Sequence, residues 1–259
     1  MTQNKPKNAD YSDKNIPTLT PREHVRRRPG MYIGGTDKRA LHNLLWEVVD
    51  DIIAEATSGK SPCNQVAITL SKNTTIKISD NGVGIPVHAH STGCSILEIH
   101  LTETFGRDDI LKGKSLRSGG LMGVGIRSVT ALSSRLVAGV KRDGFLWRQT
   151  YSEGIPTSQV EQIRPLEDGE STGTSITFTP DFTIMEEGLT FDYDLIVERC
   201  RELAYLLPQV TFSIEDETNR NEEQVLNFND GIAGWIRDLN NGIETLHPIL
   251  SKTYQKDYE

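Results

Sequence analysis

Between Leu41 and Ser58 the apolar residues Leu41, Leu44, Leu45, Val48, Ile52 and Ile53 return at the interval of one buried helical face, and Gly59 supplies the stop. The same reasoning predicts helices over Tyr193 to Leu206, closed by Pro208, and over Pro21 to Arg27, Ser95 to Thr102, Gly123 to Leu132 and Gly231 to Leu239. Strand-like runs occupy Gln65 to Leu70, Thr75 to Ser79, Ser134 to Val140, Phe145 to Ser152, Gln159 to Arg164, Ser175 to Thr179, Thr211 to Glu215 and Gln224 to Phe228. Arg142-Asp143-Gly144 and Glu167-Asp168-Gly169 read as turns, and RRPGMYIGG, residues 27 to 35, as a turn-rich loop. Glu103 to Arg117 has little period and many charges, which marks a loop long enough to act as a lid. Hairpins outnumber crossovers and no regular βαβ cadence appears. The expected fold is therefore α+β, a two-layer sandwich of a mixed, mainly antiparallel sheet covered by helices.

Three divisions follow from the same pattern. Residues 1–20 are polar and carry Pro6 and Pro17, so they form an arm without a core of its own. Residues 21–220 hold the main body, and 221–259 a C-terminal extension. The 259 residues are 36% hydrophobic and 25% charged with a formal net charge of -8, which fits a soluble globular protein and gives no overall electrostatic footprint for nucleic acid. Arg26, Arg27 and Arg28 form the one basic cluster, and it reads as a solvated turn beside Pro29. Cys63, Cys94 and Cys200 are widely spaced and odd in number, so they are read as reduced and structural. The N-terminus has no apolar signal region and no run reaches the length of a membrane span, which predicts a cytoplasmic protein without membrane contact.

Candidate chemistry starts on the first long helix. Glu47 and Asp51 stand one turn apart on one face, where like charges destabilise an isolated helix by roughly 0.2–0.5 kcal/mol, so a compensating partner is expected. The run ISDNGVGIP puts Asp80 at a strand end before Gly82 and Gly84, whose backbone can approach a flat ligand, while the carboxylate can accept a hydrogen from an exocyclic amine. SGGLMGVG places Gly119, Gly120, Gly123 and Gly125 before a helix, where backbone N–H groups can cradle phosphate oxygens. It is neither a Walker A motif nor a Rossmann fingerprint. Thr172, Gly173 and Thr174 open a strand and say little alone.

Taken together, the Glu47 helix, Asp80-x-Gly-x-Gly, the glycine-rich turn and the Thr174 strand resemble the ATP-binding site of the GHKL family, and within it the N-terminal domains of gyrase B and topoisomerase IV B type. VRRRPGMYIGGTD, WEVVDDIIAEA, RQTYSEGIP, ERCRELAYL and DGIAGWIRDLNN extend the likeness from about Tyr11 to Pro248. The resemblance implies a Bergerat-type ATP-binding fold with ATP and Mg2+ as cofactors. It implies Glu47 as general base for the water that attacks the γ-phosphate, Asp80 as the residue that reads adenine, and Thr174 as its support through water. Val48, Ile52, Ile78, Ile85, Pro86, Leu101, Ile126 and Ile176 become the surroundings of the base, with Gly82 and Gly84 beside it. Gly119, Gly120, Leu121, Gly123, Val124 and Gly125 become the phosphate loop, and Arg148 an arginine at the pocket mouth. Tyr11 and Ile16 match an arm that reaches the other protomer, which implies a nucleotide-dependent homodimer and contacts with gyrase subunits.

Several positions depart from the family's pattern. Asp51 stands where the family has a magnesium-holding asparagine, so it is the metal ligand expected here, with one more negative charge near the triphosphate. Ile52 is larger than usual and narrows the adenine pocket; Met122 replaces a histidine and Val83 an arginine. The lid lacks GGKF, leaving Lys112 and Lys114 as candidate phosphate contacts. In the family, a transducer domain and a metal-binding domain that works on DNA follow. The chain stops at Glu259, so strand passage and direct DNA binding are not expected of it alone. The expected activity is slow ATP hydrolysis. The alternatives are ATP-dependent phosphotransfer to a small molecule, and a non-catalytic partner of gyrase that binds nucleotide or inhibitor.

Overall fold

The computed structural model describes residues 19–59, 61–91, 93–103, 125–218, 221–250 and 252. Thr20 opens the first helix, α1 (Pro21–Arg27), with a capping box: its side chain accepts from the Glu23 amide while Glu23 reaches back to the Thr20 amide. The expected loop that follows contains a short helical turn, α2 (Gly30–Ile33), because Pro29 sits at the cap with φ −58° and Ile33 anchors the turn in the core. Asp37 then caps α3 (Lys38–Thr57) through the Ala40 amide at 2.9 Å.

The hairpin β1 (Gln65–Ser71) and β2 (Thr75–Asp80) leads to α4 (Ile96–Thr102), capped by Ser95, and later to α5 (Gly125–Ala131). Strands β3 (Ser133–Arg142), β4 (Phe145–Ser152), β5 (Ile155–Pro156), β6 (Glu161–Pro165) and β7 (Gly173–Pro180) precede α6 (Tyr193–Leu206). Strands β8 (Thr211–Asp216) and β9 (Glu222–Leu226) and helix α7 (Gly231–Leu239) follow. Among the described residues the sheet order is β5-β4-β3-β7-β2-β1-β8-β9, with β6 also paired to β4. Of these described pairs only β1–β8 is parallel, so the mixed, mainly antiparallel sandwich expected from the pattern is what forms.

β9 starts two residues earlier than its sequence pattern, and the register explains why it also ends earlier. Leu226 pairs with the buried Phe212, and Asn227 then turns out of the ladder to donate to the carbonyls of Pro208 and Val210. All three cysteines are free thiols. Burial pushes the thiols of Cys63 and Cys200 up to about 12, which leaves both inert. No helix among the described residues is long and apolar enough to cross a membrane.

Two polar ties fix helices to the sheet. Gln149, wholly buried in β4, donates to Glu98 of α4 at 2.8 Å and to the Ser158 carbonyl at 3.2 Å, and accepts from the Tyr151 hydroxyl at 2.7 Å. Both polar atoms of the amide are matched, so the contact fixes α4 against β4. Arg26 donates to the Ala131 carbonyl at the end of α5 and to Asp181 at 2.7 Å, joining α1 to both. The arginine cluster is therefore partly structural.

Candidate functional site

α3 carries one carboxylate per turn on one face: Glu47, Asp51 and Glu55. Each faces a different segment of the fold. Glu47 faces the start of α5, where a Cβ added to Gly125 would lie 2.5 Å from its Oε2. Asp51 faces α4, with its Oδ2 3.9 Å from Nε2 of His100. Glu55 accepts from the Val83 amide at 3.0 Å and from the Ser61 hydroxyl at 2.6 Å.

The titration of these groups follows from burial. Removal from water holds the Glu47 carboxyl above its ordinary range, and the Asp50 charge adds to the effect. Burial, helped by the Arg127 charge, lowers His100 to about 4. Asp51 thus faces a neutral imidazole near pH 7, and the contact is not an ion pair there. The Nδ1 atom of His100 is buried without a hydrogen-bond partner among the described residues.

At the end of β2, Oδ1 of Asp80 accepts from the amides of Gly82 at 2.7 Å and Thr174 at 3.2 Å. Burial outweighs these bonds and pushes Asp80 up to about 6, with Glu55 adding to the rise and Lys141 opposing it. The Thr174 hydroxyl in turn accepts from the Ile85 amide at 3.1 Å. Thr172 donates to the Gly82 carbonyl at 2.7 Å, and Arg142 donates to the Gly84 carbonyl at 2.6 Å. Gly84 itself has φ +73°, a conformation that a side chain disfavours. A turn upstream of β7 is tied by two hydrogen bonds from Arg164 to Glu170, which drop the Glu170 carboxyl to about 2.

Ile78 and Ile176 pair across β2 and β7, and both are buried with Val48, Ile52, Leu101 and Ile126 in one core cluster. Ile85 packs against that cluster and Pro86 is half-buried. α3, the β2 end, β7, α4 and α5 therefore converge on one buried cluster. Arg148 does not join them by any described contact. It is exposed on the face of β4 opposite Gln149 and Tyr151, in register with Gly139 and Glu161. Tyr11, Ile16, Gly119, Gly120, Leu121, Met122, Gly123, Val124, Lys112 and Lys114 lie outside the described residues.

Four residues of this arrangement were not anticipated: Glu55, His100, Thr172 as a loop anchor, and Arg142. Glu55 had a readable signal, since it extends the Glu47–Asp51 spacing by one more turn. His100 and Arg142 had none, because their neighbours come from other segments.

The profile of the family described as histidine kinase-, DNA gyrase B-, and HSP90-like ATPases matches residues 36–184. The chain is 40% identical over 241 residues to the gyrase B protein of Thermotoga maritima, a match that spans 93% of this chain and 37% of that protein. It is 39% identical over 247 residues to the gyrase B protein of Archaeoglobus fulgidus, spanning 95% of this chain and 38% of that one. Against the B-type subunit of DNA topoisomerase 4 from Staphylococcus aureus (strain Mu50) the identity is 36% over 247 residues, with 95% and 36% of the two chains covered. The 43K ATPase domain of Thermus thermophilus gyrase B, solved with an aminocoumarin, superposes with a TM-score of 0.75 at 32% identity, covering 87% of this chain and 56% of that one. The chain thus spans little more than a third of the length of the full-length relatives.

Proposed function

This chain belongs to the histidine kinase-, DNA gyrase B- and HSP90-like ATPases as an ATP-binding domain related to gyrase B, and from that premise we propose that it hydrolyses ATP slowly with Glu47 as the general base. The observation that carries the proposal is the contact of Glu47 with Gly125, at the start of the helix that follows the glycine-rich segment. A half-buried carboxylate of raised pKa at that place suits a base that takes a proton from water. Asp80 reads the adenine amine with the oxygen not used by Gly82 and Thr174, and Thr174 keeps Asp80 oriented. The buried aliphatic side chains around Ile78 and Ile176 are the apolar surroundings we assign to the base.

Asp51 is the residue we assign to magnesium. The described residues include no group of three or more His, Cys, Asp or Glu able to hold a metal. A single carboxylate oxygen nevertheless fits a hard cation that takes its other ligands from phosphates and water. Such a cation would neutralise charge on the β- and γ-phosphates; orienting the water and taking its proton fall to Glu47.

We extend the reading to the remaining parts of the chain. Residues 1–20 act as the dimer arm through Tyr11 and Ile16, residues 21–220 as the ATP-binding domain, and 221–259 as a C-terminal extension resembling the start of a transducer domain. Partner gyrase subunits supply any DNA contact. The direct test is phosphate release with Mg2+ and ATP, compared between the parent and Glu47→Ala. Equal rates in the two proteins would remove Glu47 from the base role. Binding without phosphate release by the parent would favour a binding partner or a different phosphate acceptor.

A further inference from the structure

Consecutive amides of the loop after β2 are held by two different carboxylates. The Gly82 amide goes to Asp80, and the Val83 amide goes to Glu55 on α3. Glu55 is itself fixed by the Ser61 hydroxyl at 2.6 Å. Its Oε1 lies so close to the Gly82 Cα that any Cβ there would collide with it, and Asp80 Oδ1 would lie 3.0 Å from the same Cβ. Glu55 and Asp80 therefore bracket one glycine, one from the helical layer and one from the sheet.

We propose that Glu55 is a positioning residue for nucleotide recognition, locking residues 82 and 83 so that Asp80 presents its open oxygen to the base. The inference rests on the reading of Asp80 as the adenine contact. Its physical basis is independent of that reading: a charge-assisted hydrogen bond from a rigid helix restrains a loop whose second residue, Val83, is 44% exposed and has little packing to hold it. The Glu55 charge also acts on Asp80 through space and makes its ionisation harder. Of the other groups facing Asp80, Lys141 from β3 acts in the opposite sense, and Cys63 stays neutral with its thiol at about 12.

Two substitutions separate these effects. Glu55→Ala removes both the acceptor and the charge; ATP affinity at neutral pH should fall about tenfold, a loss expected for one charge-assisted hydrogen bond. Glu55→Gln keeps an oxygen for Val83 and Ser61 but removes the charge. It should recover part of the affinity and move the acid loss of binding to lower pH, because Asp80 then ionises more easily. A role confined to stability would move neither the pH midpoint nor the order of the two variants.

Amide hydrogen exchange at Val83 in the nucleotide-free protein reads the lock without any ligand. Exchange should be slow in the parent and faster in Glu55→Ala. Equal Val83 exchange in both, or an unmoved pH midpoint in Glu55→Gln, overturns the proposal. A parent that binds no ATP but shows the exchange difference would overturn the nucleotide role of Asp80 while leaving the loop lock standing.

Discussion

The amide of Thr174 donates to Oδ1 of Asp80 at 3.2 Å, across the junction of two neighbouring strands. The Gly82 amide donates to that same oxygen, so both backbone donors lie on one side of the carboxylate. The opposite side is the one assigned above to the adenine amine. The bonds favour the charged form, yet burial prevails and Asp80 ends at about 6.

ATP binding should therefore weaken in mild acid. In its proposed role Asp80 accepts from an adenine amine best as a carboxylate, and it is half protonated at about pH 6. Below that point affinity should drop toward about tenfold per pH unit. Calorimetric titration with excess magnesium, from about pH 8 to about pH 5, checks the midpoint; flat affinity through about pH 6 would exclude Asp80 as the contact.

Asp80→Asn should stabilise the ligand-free protein while abolishing ATP binding. The folded value is raised from 3.8 to about 6, so burying the charge costs stability above about pH 6, and the cost disappears below 3.8. Asparagine keeps an oxygen for the Gly82 and Thr174 amides and carries no charge. A gain of about 1–3 kcal/mol near pH 7, or a Tm rise of about 3–10 °C, is expected. The gap between variant and parent should close as the pH is lowered toward 4.

Much of the fold was legible because burial imposes a period. α3, α6 and the β1–β2 hairpin follow the apolar spacing almost residue for residue. α2 was hidden because a four-residue turn has no period to read. In the site, Asp80, Gly82 and Gly84 were visible as one contiguous run, and Glu47 with Asp51 as a spacing anomaly. What escaped was long-range in sequence: His100 on α4 meets Asp51 on α3, and Thr172 and Arg142 meet the Gly82–Gly84 loop, only once distant segments come together. Arg148 shows the converse, since its neighbour Gln149 takes the inward position and leaves it on the outer face.

Gly125→Ala tests the approach of α5 to Glu47, the proposed base. The added methyl would stand 2.5 Å from Glu47 Oε2 and 3.6 Å from its Cδ, so either the carboxylate rotates or α5 retreats. In the proposed role of Glu47, either movement misplaces it relative to the attacked phosphate. Hydrolysis should fall about ten- to a hundredfold with a smaller change in ATP affinity. Single-turnover phosphate release against nucleotide binding separates the two, and unaltered turnover would place the reacting water elsewhere.

Asp51→Asn asks what the extra charge on α3 does. Aspartate repels a bare triphosphate and attracts its cation, whereas asparagine keeps the oxygen and loses both effects. A unit charge about 4 Å from a phosphate charge is worth about 4 kcal/mol at an effective dielectric constant near 20, and less with distance. Metal-free ATP should bind the variant about tenfold or more tightly than it binds the parent. The magnesium concentration needed for half-maximal binding should rise, because a neutral amide oxygen is the weaker ligand for a hard cation. His100 will not mask the effect, since its imidazole is uncharged near pH 7 and offers no compensating cation. Binding isotherms with magnesium and with a chelator measure both terms. An unchanged ratio between them would mean that Asp51 faces neither the cation nor the phosphates.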